Sequence, residues 1–265
     1  MKVVTVISDK ENREFVDFLL YSCMRLDLDL VVLYANKYTN HRVKDSLLMN
    51  YLFSQHADEI IMFVDGYDTM FLASESEIID KYLRFNAPIV FSAEINCWPY
   101  QELSFLYPKT NTYFKFLNSG GFIGRSGIIR DILALNPSPP INYGFLKKMK
   151  WFISDNLYNT EINPYNKYQW SNQFYWHNIY LKNQKIIKLD HHSELFYTLS
   201  TELRKLKNRS NLLLYEETNR IKEELIFVNN RIRSNITQSF PCHIHFNGPI
   251  PKSLMEDEFF MRLKQ

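Results

Sequence analysis

The sequence predicts an α/β fold: a Rossmann-type, mostly parallel sheet flanked by helices, built as a single domain. Three observations carry this. Short continuous apolar runs alternate with helix-length segments whose apolar residues recur at helical spacing. The chain has 265 residues, 46% of them hydrophobic, which is enough for one α/β core. Acidic residues directly follow two of the apolar runs, at the strand ends where open α/β sheets bind ligands.

Residues 3–7 (VVTVI) read as a first strand, because a parallel strand covered on both faces shows no polar alternation. Residues 11–26 place Phe15, Phe18, Leu19, Ser22 and Leu26 on one helical stripe. Residues 30–34 (LVVLY) form a second strand, and residues 41–55 a helix with apolar Val43, Leu47, Leu48, Tyr51 and Leu52. Residues 60–64 (IIMFV) form a third strand ending at Asp65. Residues 75–85 form a helix, and residues 89–93 (IVFSA) a fourth strand ending at Glu94. Beyond residue 100 the rhythm loosens. Residues 116–124 read as strand, turn, strand, residues 126–135 as a helix, and Pro137, Pro139 and Pro140 as a loop. A helix is expected over 172–183, a strand over 186–190, a charged, solvated helical excursion over 200–225, and a last strand over 242–246.

Composition excludes several function classes. The 31 Lys+Arg against 29 Asp+Glu give a net charge of +2 with no basic block, so phosphate-driven nucleic-acid binding is not expected. Cys23, Cys97 and Cys242 are far apart, which speaks against a disulfide framework and a zinc ribbon. No apolar run approaches the roughly 20 residues of a spanning helix, so no membrane partner is expected. The first strand begins almost at once, without a signal-peptide layout, and the expectation is a cytoplasmic protein or an excised domain. The 20 Phe, 17 Tyr and 4 Trp suit a packed core and equally suit stacking on sugars or bases. Glycine is scarce at 7, so its positions are informative: five lie in three motifs, at Gly66, at Gly120, Gly121 and Gly124, and at Gly248.

Those motifs hold the candidate chemistry. In Asp65-Gly66-Tyr67-Asp68, a sharp turn at Gly66 aims two carboxylates at one point, a hard oxygen donor set for Mn²⁺ or Mg²⁺ beside a diphosphate. Tyr67 between them is placed to stack on a nucleobase. The same four residues also read as a solvated Asx-type turn. Asn118-Ser119-Gly120-Gly121 offers polar groups and close backbone approach, or a plain hairpin turn. In His243-Ile244-His245-Phe246-Asn247-Gly248 the two imidazoles share a strand face, and one of them added to two carboxylates shifts preference towards Mn²⁺; a structural histidine is the other reading. Glu94 with Trp98 pairs a carboxylate with an indole face, suited to a hydroxyl-rich ring or to a Trp-anchored loop.

DGYD, FSAEINCWP, FLNSGGFIG, LDHHS and HFNGP, in that order, resemble the glycosyltransferase domain of the procollagen lysyl hydroxylases, the collagen galactosylhydroxylysyl glucosyltransferases. The resemblance runs from about residue 3 to 251, without the hydroxylase domains, and the Asn-, Ile- and Lys-rich composition fits a viral or other AT-rich genome, a viral one meaning the host cytoplasm. It implies a GT-A fold over 1–265: a nucleotide-binding half at 1–100, a sugar and acceptor half at 101–251, and a tail at 252–265. It implies a retaining transfer of glucose from UDP-glucose, with Mn²⁺, to galactosyl-hydroxylysine of collagen or a collagen-like polypeptide. The departing phosphate oxygen assists the acceptor hydroxyl, and no covalent enzyme intermediate forms. By motif, Asp65, Asp68 and His245 match metal ligands and Tyr67 the uracil-stacking aromatic. Glu94, Asn118 and Asn172 match sugar-positioning residues, and Trp98 a loop tryptophan that closes on the donor. Asn247 and Gly248 match the segment near the diphosphate, Arg42 a basic donor-site position, and Thr5 and Gly120 complete the donor-binding set.

One departure stands out. The last two acidic positions of an aspartate run in the family fall here on Ser171 and Asn172. An amide hydrogen-bonds a sugar but is neither a base nor an anion. Asp155, Glu161 and Asp190 are candidate substitutes, and residues 165–176, with Trp170 and Trp176, are a candidate acceptor groove. Alternatives to the glucosyltransferase are a UDP-galactose-using hydroxylysine galactosyltransferase, a sugar-nucleotide hydrolase, and a binding module for UDP-sugar or collagen.

Overall fold

A computed structural model of the chain describes residues 1–136, 168–202 and 211–264. Five of its strands follow from the apolar runs: β1 (Lys2–Ile7), β2 (Leu30–Tyr34), β3 (Ile60–Val64), β5 (Ile89–Glu94) and β7 (Ile187–Asp190). Between β3 and β5 lies the short β4 (Thr69–Phe71), and between β5 and β7 the ten-residue β6 (Phe116–Arg125). The central sheet has the order β2-β1-β3-β6-β5-β7. β1 pairs in parallel with β2 and β3, and β5 with β7, whereas β6 runs antiparallel to both β3 and β5. The sheet is therefore mixed, mostly parallel, and flanked by helices.

Both faces of this sheet are covered, which explains the lack of polar alternation. Val4, Val6, Ile61 and Phe63 pack into one apolar layer; their neighbours Val3, Ile7, Met62 and Val64 pack into the other. The helices are α1 (Tyr21–Arg25), preceded by a widened π-type turn at Phe15–Leu20, then α2 (Val43–Leu52), α3 (Glu75–Arg84), α4 (Ser126–Leu135) and α5 (Asn172–Lys182). The single helix expected over 11–26 is thus two joined pieces, although Phe15, Phe18, Leu19 and Ser22 do face inward. Helix α5 is fixed by Trp176, 4.9 Å from Phe91, which continues the cross-strand stack of Phe91, Phe122 and Phe63.

A second sheet has the order β4-β11-β8. Strand β8 (Phe196–Ser200) pairs in parallel with β11 (His243–Asn247), and β11 pairs antiparallel with β4. Strands β9 (Leu225–Val228) and β10 (Arg231–Ser234) form a separate hairpin.

Two further expectations change. Residues 116–125 are one strand, with no turn at Gly120-Gly121: both sides of β6 are paired, and that continuous pairing overrides the local turn signal. Where the register with β5 shifts, from Phe91↔Phe122 to Ser92↔Asn118, residues 119–121 have no partner on β5 and form a bulge. The excursion over 200–225 contains a helix at Asn211–Glu223, but Glu217 and Ile221 on it are buried, so it is not a solvated element; residues 203–210 lie outside the described residues. Residues 252–264 pack Leu254, Met255, Phe260 and Leu263 into the core. The expected proline loop, Asp155 and Glu161 lie outside the described residues. No described helix is long and apolar enough to cross a membrane.

Candidate active site

The pairing of β4 with β11 builds the site. Asp65 and Gly66 follow β3, the chain turns through Asp68, and Thr69 then pairs with His245. The Phe246 amide donates to the Asp68 carbonyl at 2.8 Å, so a residue near the chain's end is locked against the Asp65–Asp68 turn. His245 Nε2 lies 3.5 Å from Asp68 Oδ1 and 3.9 Å from Asp65 Oδ2. One ligand atom from each of the three side chains lies within 4.8 Å of the others.

The remaining atoms of these side chains are held from behind. Asn118 Nδ2 donates to Glu94 Oε1 at 2.9 Å, which turns Asn118 Oδ1 towards His245 Nδ1, 3.2 Å away. A carbonyl oxygen only accepts, so Nδ1 carries a proton and Nε2 is the ring atom turned towards the carboxylates. Lys44 donates to Asp65 Oδ1, leaving Oδ2 on the His245 side. Burial pushes the Asp65 carboxyl up, but Lys44 and His245 outweigh it and hold it below the ordinary carboxylate range. Burial pulls the His245 imidazole down, while the Asp68 and Asp65 carboxylates raise it above its usual value. Two carboxylate oxygens and one oriented imidazole nitrogen are a donor set that fits Mn²⁺ or Mg²⁺, the nitrogen favouring Mn²⁺.

This cluster stands at the edge of a cavity of about 360 Å³. Ten of the expected residues line it: Asp65, Asp68, Glu94, Trp98, Asn118, Gly120, Asn172, His245, Asn247 and Gly248. Glu94 is the hub of its wall. Its Oε1 accepts from Asn118 and from Gln173 Nε2 (2.6 Å); its Oε2 accepts from Ser200 Oγ (3.2 Å) and Asn247 Nδ2 (3.2 Å). Burial raises the Glu94 carboxyl, and these donors oppose it. Gly120 is needed for close approach rather than for a turn: a Cβ there would sit 2.3 Å from His245 Cε1. Gly248 does take a left-handed conformation, φ 97°, where the chain leaves β11. At the cavity's mouth Trp98 packs edge-on against Trp170 at 5.6 Å, and Trp170 lies 5.5 Å from His41.

Three expected residues lie off the cavity wall. Thr5 is buried and donates to the Val64 carbonyl. The Tyr67 hydroxyl accepts from the Ser8 and Asp9 amides at 2.7 and 2.8 Å, tying the turn to the end of β1. Arg42 is buried, bonded to Asp45 and stacked over Tyr175 at 3.5 Å. The basic side chain that lines the cavity is Lys44, two residues on. Asp190, a candidate substitute carboxylate, accepts instead from the amides of Glu194, Leu195 and Phe196. Of the suggested acceptor aromatics, Trp176 is fully buried in the core. Sequence reasoning missed Lys44, Asp45 and Gln173: each sits on a helix, where a polar residue reads as solvated until the packing is known.

Residues 34–140, which hold Asp65, Asp68, Glu94, Trp98, Asn118 and Gly120, match the family model described as PLOD GT domain. This chain resembles a PLOD GT domain over those residues. It is 28% identical over 201 residues to the human multifunctional procollagen lysine hydroxylase and glycosyltransferase LH3, covering 74% of this chain and 21% of that one. It is 29% identical over 208 residues to uncharacterized protein R699 of Acanthamoeba polyphaga mimivirus, covering 77% of this chain and 35% of that one. It is 26% identical over 209 residues to procollagen-lysine,2-oxoglutarate 5-dioxygenase 1 of Gallus gallus, covering 76% and 23%. The matches thus span between about a fifth and a third of these relatives' length.

Proposed function

We propose that this chain is a metal-dependent retaining glycosyltransferase that moves glucose from UDP-glucose to galactosyl-hydroxylysine of a collagen-like polypeptide. The observation that carries the reading is the convergence of Asp65, Asp68 and His245 at the edge of a polar cavity, in a chain whose residues 34–140 match the PLOD GT family model. Asp65, Asp68 and His245 would hold the cation, Mn²⁺ in preference to Mg²⁺. A divalent ion bound there neutralises the charge that grows on a leaving diphosphate. Lys44 adds a second positive charge on the same side, and its ammonium is held protonated by Asp65.

Retention without an enzyme-bound intermediate is supported by the carboxylate census. Glu94 has both oxygens engaged by four donors, and Asp65 and Asp68 face His245, so no described cavity-wall carboxylate is free to attack a sugar. Glu94, Asn118 and Asn247 instead form a rigid hydrogen-bonded wall for hydroxyl groups. The human relative's name includes both lysine hydroxylase and glycosyltransferase, and two of the relatives named above are procollagen-lysine enzymes, which supports a hydroxylysine-bearing acceptor.

The test is a donor screen with Mn²⁺, scoring UDP release with and without a galactosyl-hydroxylysine peptide. UDP-glucose should give the fastest release, stimulated by the peptide. Release that ignores the peptide would mean a sugar-nucleotide hydrolase; release from UDP-galactose stimulated by unglycosylated hydroxylysine would mean the galactosyltransferase.

A further inference from the structure

Asn172 opens helix α5 and lines the cavity, yet only one end of its amide is satisfied. Nδ2 donates to Asp45 Oδ1 at 2.6 Å; Oδ1 is buried and has no partner among the described residues. A buried acceptor left without a partner is costly, so its persistence asks for a donor from elsewhere. The two ends of an amide have the same shape, and only the neighbours decide which way it points. Here the neighbour is a carboxylate, which accepts and does not donate. The nitrogen must face Asp45, which leaves the oxygen without a partner beside the cavity that Asn172 lines.

Asp45 is itself fixed. It sits on α2, 4% exposed, a place where a lone carboxylate is expensive. Oδ2 accepts from Arg42 Nε at 2.6 Å, and Oδ1 also accepts from Trp176 Nε1 at 3.0 Å. Arg42 is in turn stacked on Tyr175, and Trp176 is anchored in the aromatic stack of the core. A chain of rigid contacts therefore runs from the core to the amide of Asn172.

We propose that Asp45 is a positioning residue for the donor sugar: it pins the Asn172 amide so that Oδ1 accepts a hydrogen bond from a hexose hydroxyl. This rests on the UDP-sugar reading above. Asp45 does not reach the sugar; it acts through Asn172. A nucleotide without a sugar gains nothing from it.

The experiment is a double-mutant cycle, D45N, N172A and D45N/N172A, read by calorimetric binding of UDP and of UDP-glucose in the presence of Mn²⁺. In D45N the residue at 45 donates as well as accepts, so the Asn172 amide loses its fixed sense. D45N and N172A should each weaken UDP-glucose about tenfold relative to UDP, the loss of one well-placed hydrogen bond. The double variant should be no weaker than N172A. Additive losses, or equal losses for UDP and UDP-glucose, would give Asp45 a purely structural role and overturn the proposal. Should D45N not fold, N172A alone decides it: an unchanged preference for UDP-glucose overturns the proposal. A wild-type protein that binds neither nucleotide brings down the UDP-sugar reading itself, an outcome distinct from a wild type that binds both and shows no coupling.

Discussion

Replacing Gly120 with alanine tests the metal site without touching a ligand. The new Cβ would lie 2.3 Å from His245 Cε1, 2.7 Å from His245 Nδ1 and 2.9 Å from Asn118 Oδ1. Ordinary contact begins near 3.4 Å, so the ring has to retreat by about 1 Å. Its backbone cannot follow, because His245 is paired with Thr69 on one side and Thr198 on the other. The ring must therefore rotate, leaving Asn118 and taking Nε2 off the carboxylates. Metal–ligand distances tolerate about 0.2 Å, so one of the three proposed ligands would be lost. We expect Mn²⁺ affinity to fall by at least about 100-fold, roughly 2.7 kcal/mol. Stability without metal should fall by about 1–3 kcal/mol from overpacking. Gly124 is the control: its Cβ would meet the Pro88 carbonyl at 2.8 Å and Ile89 Cγ1 at 2.9 Å, with no His245 atom among its three nearest. Calorimetric Mn²⁺ titration should therefore separate the variants, G124A losing stability only and G120A losing both. A G120A protein that binds Mn²⁺ like the wild type would refute the assignment of His245.

Two further predictions concern charge. Lys44→Met removes the ammonium from Asp65 and a positive charge from the cavity, so UDP affinity should drop about tenfold. Binding of Mn²⁺ alone should hold or strengthen, because a like charge beside the cation is gone; weaker Mn²⁺ binding would contradict the geometry. His177 and His243 are buried, and burial pulls both imidazoles down to about 3. In the unfolded chain they take up protons near pH 6.5 and in the fold near pH 3, so stability should be lost as pH falls through that window. Each contributes a slope of about 1.4 kcal/mol per pH unit. Urea unfolding from pH 6 to 4 should show His177→Gln with a slope shallower by that amount, and an unchanged slope would mean that His177 is charged in the fold.

How much of this was legible depends on what each residue had to encode. The strands were, because Val3, Val4, Met62 and Phe63 are covered from both sides and apolar throughout. Strand direction was not: an apolar run has no sign, and β6 running against β3 and β5 depends on how the loops close. The residues that line the cavity were largely visible as motifs, since Asp65, Asp68, Asn118 and His245 stand at strand ends or bulges. The residues that orient them were not. Asp45 and Lys44 lie on the same helix turn as solvated-looking polar residues, and only packing against α5 and the β3 edge reveals their tasks. Gly120 looked like a turn because its true constraint, a ring from β11, lies far along the chain.

If Asp65, Asp68 and His245 hold a cation as proposed, the junction of β4 and β11 makes its affinity a report on whether the molecule is finished. A nascent or shortened chain ending before residue 243 still carries both aspartates, but without the imbedded histidine it offers a much poorer grip. A cation held there would act as a late clasp, favouring those molecules in which the final strand has docked and raising their population by mass action.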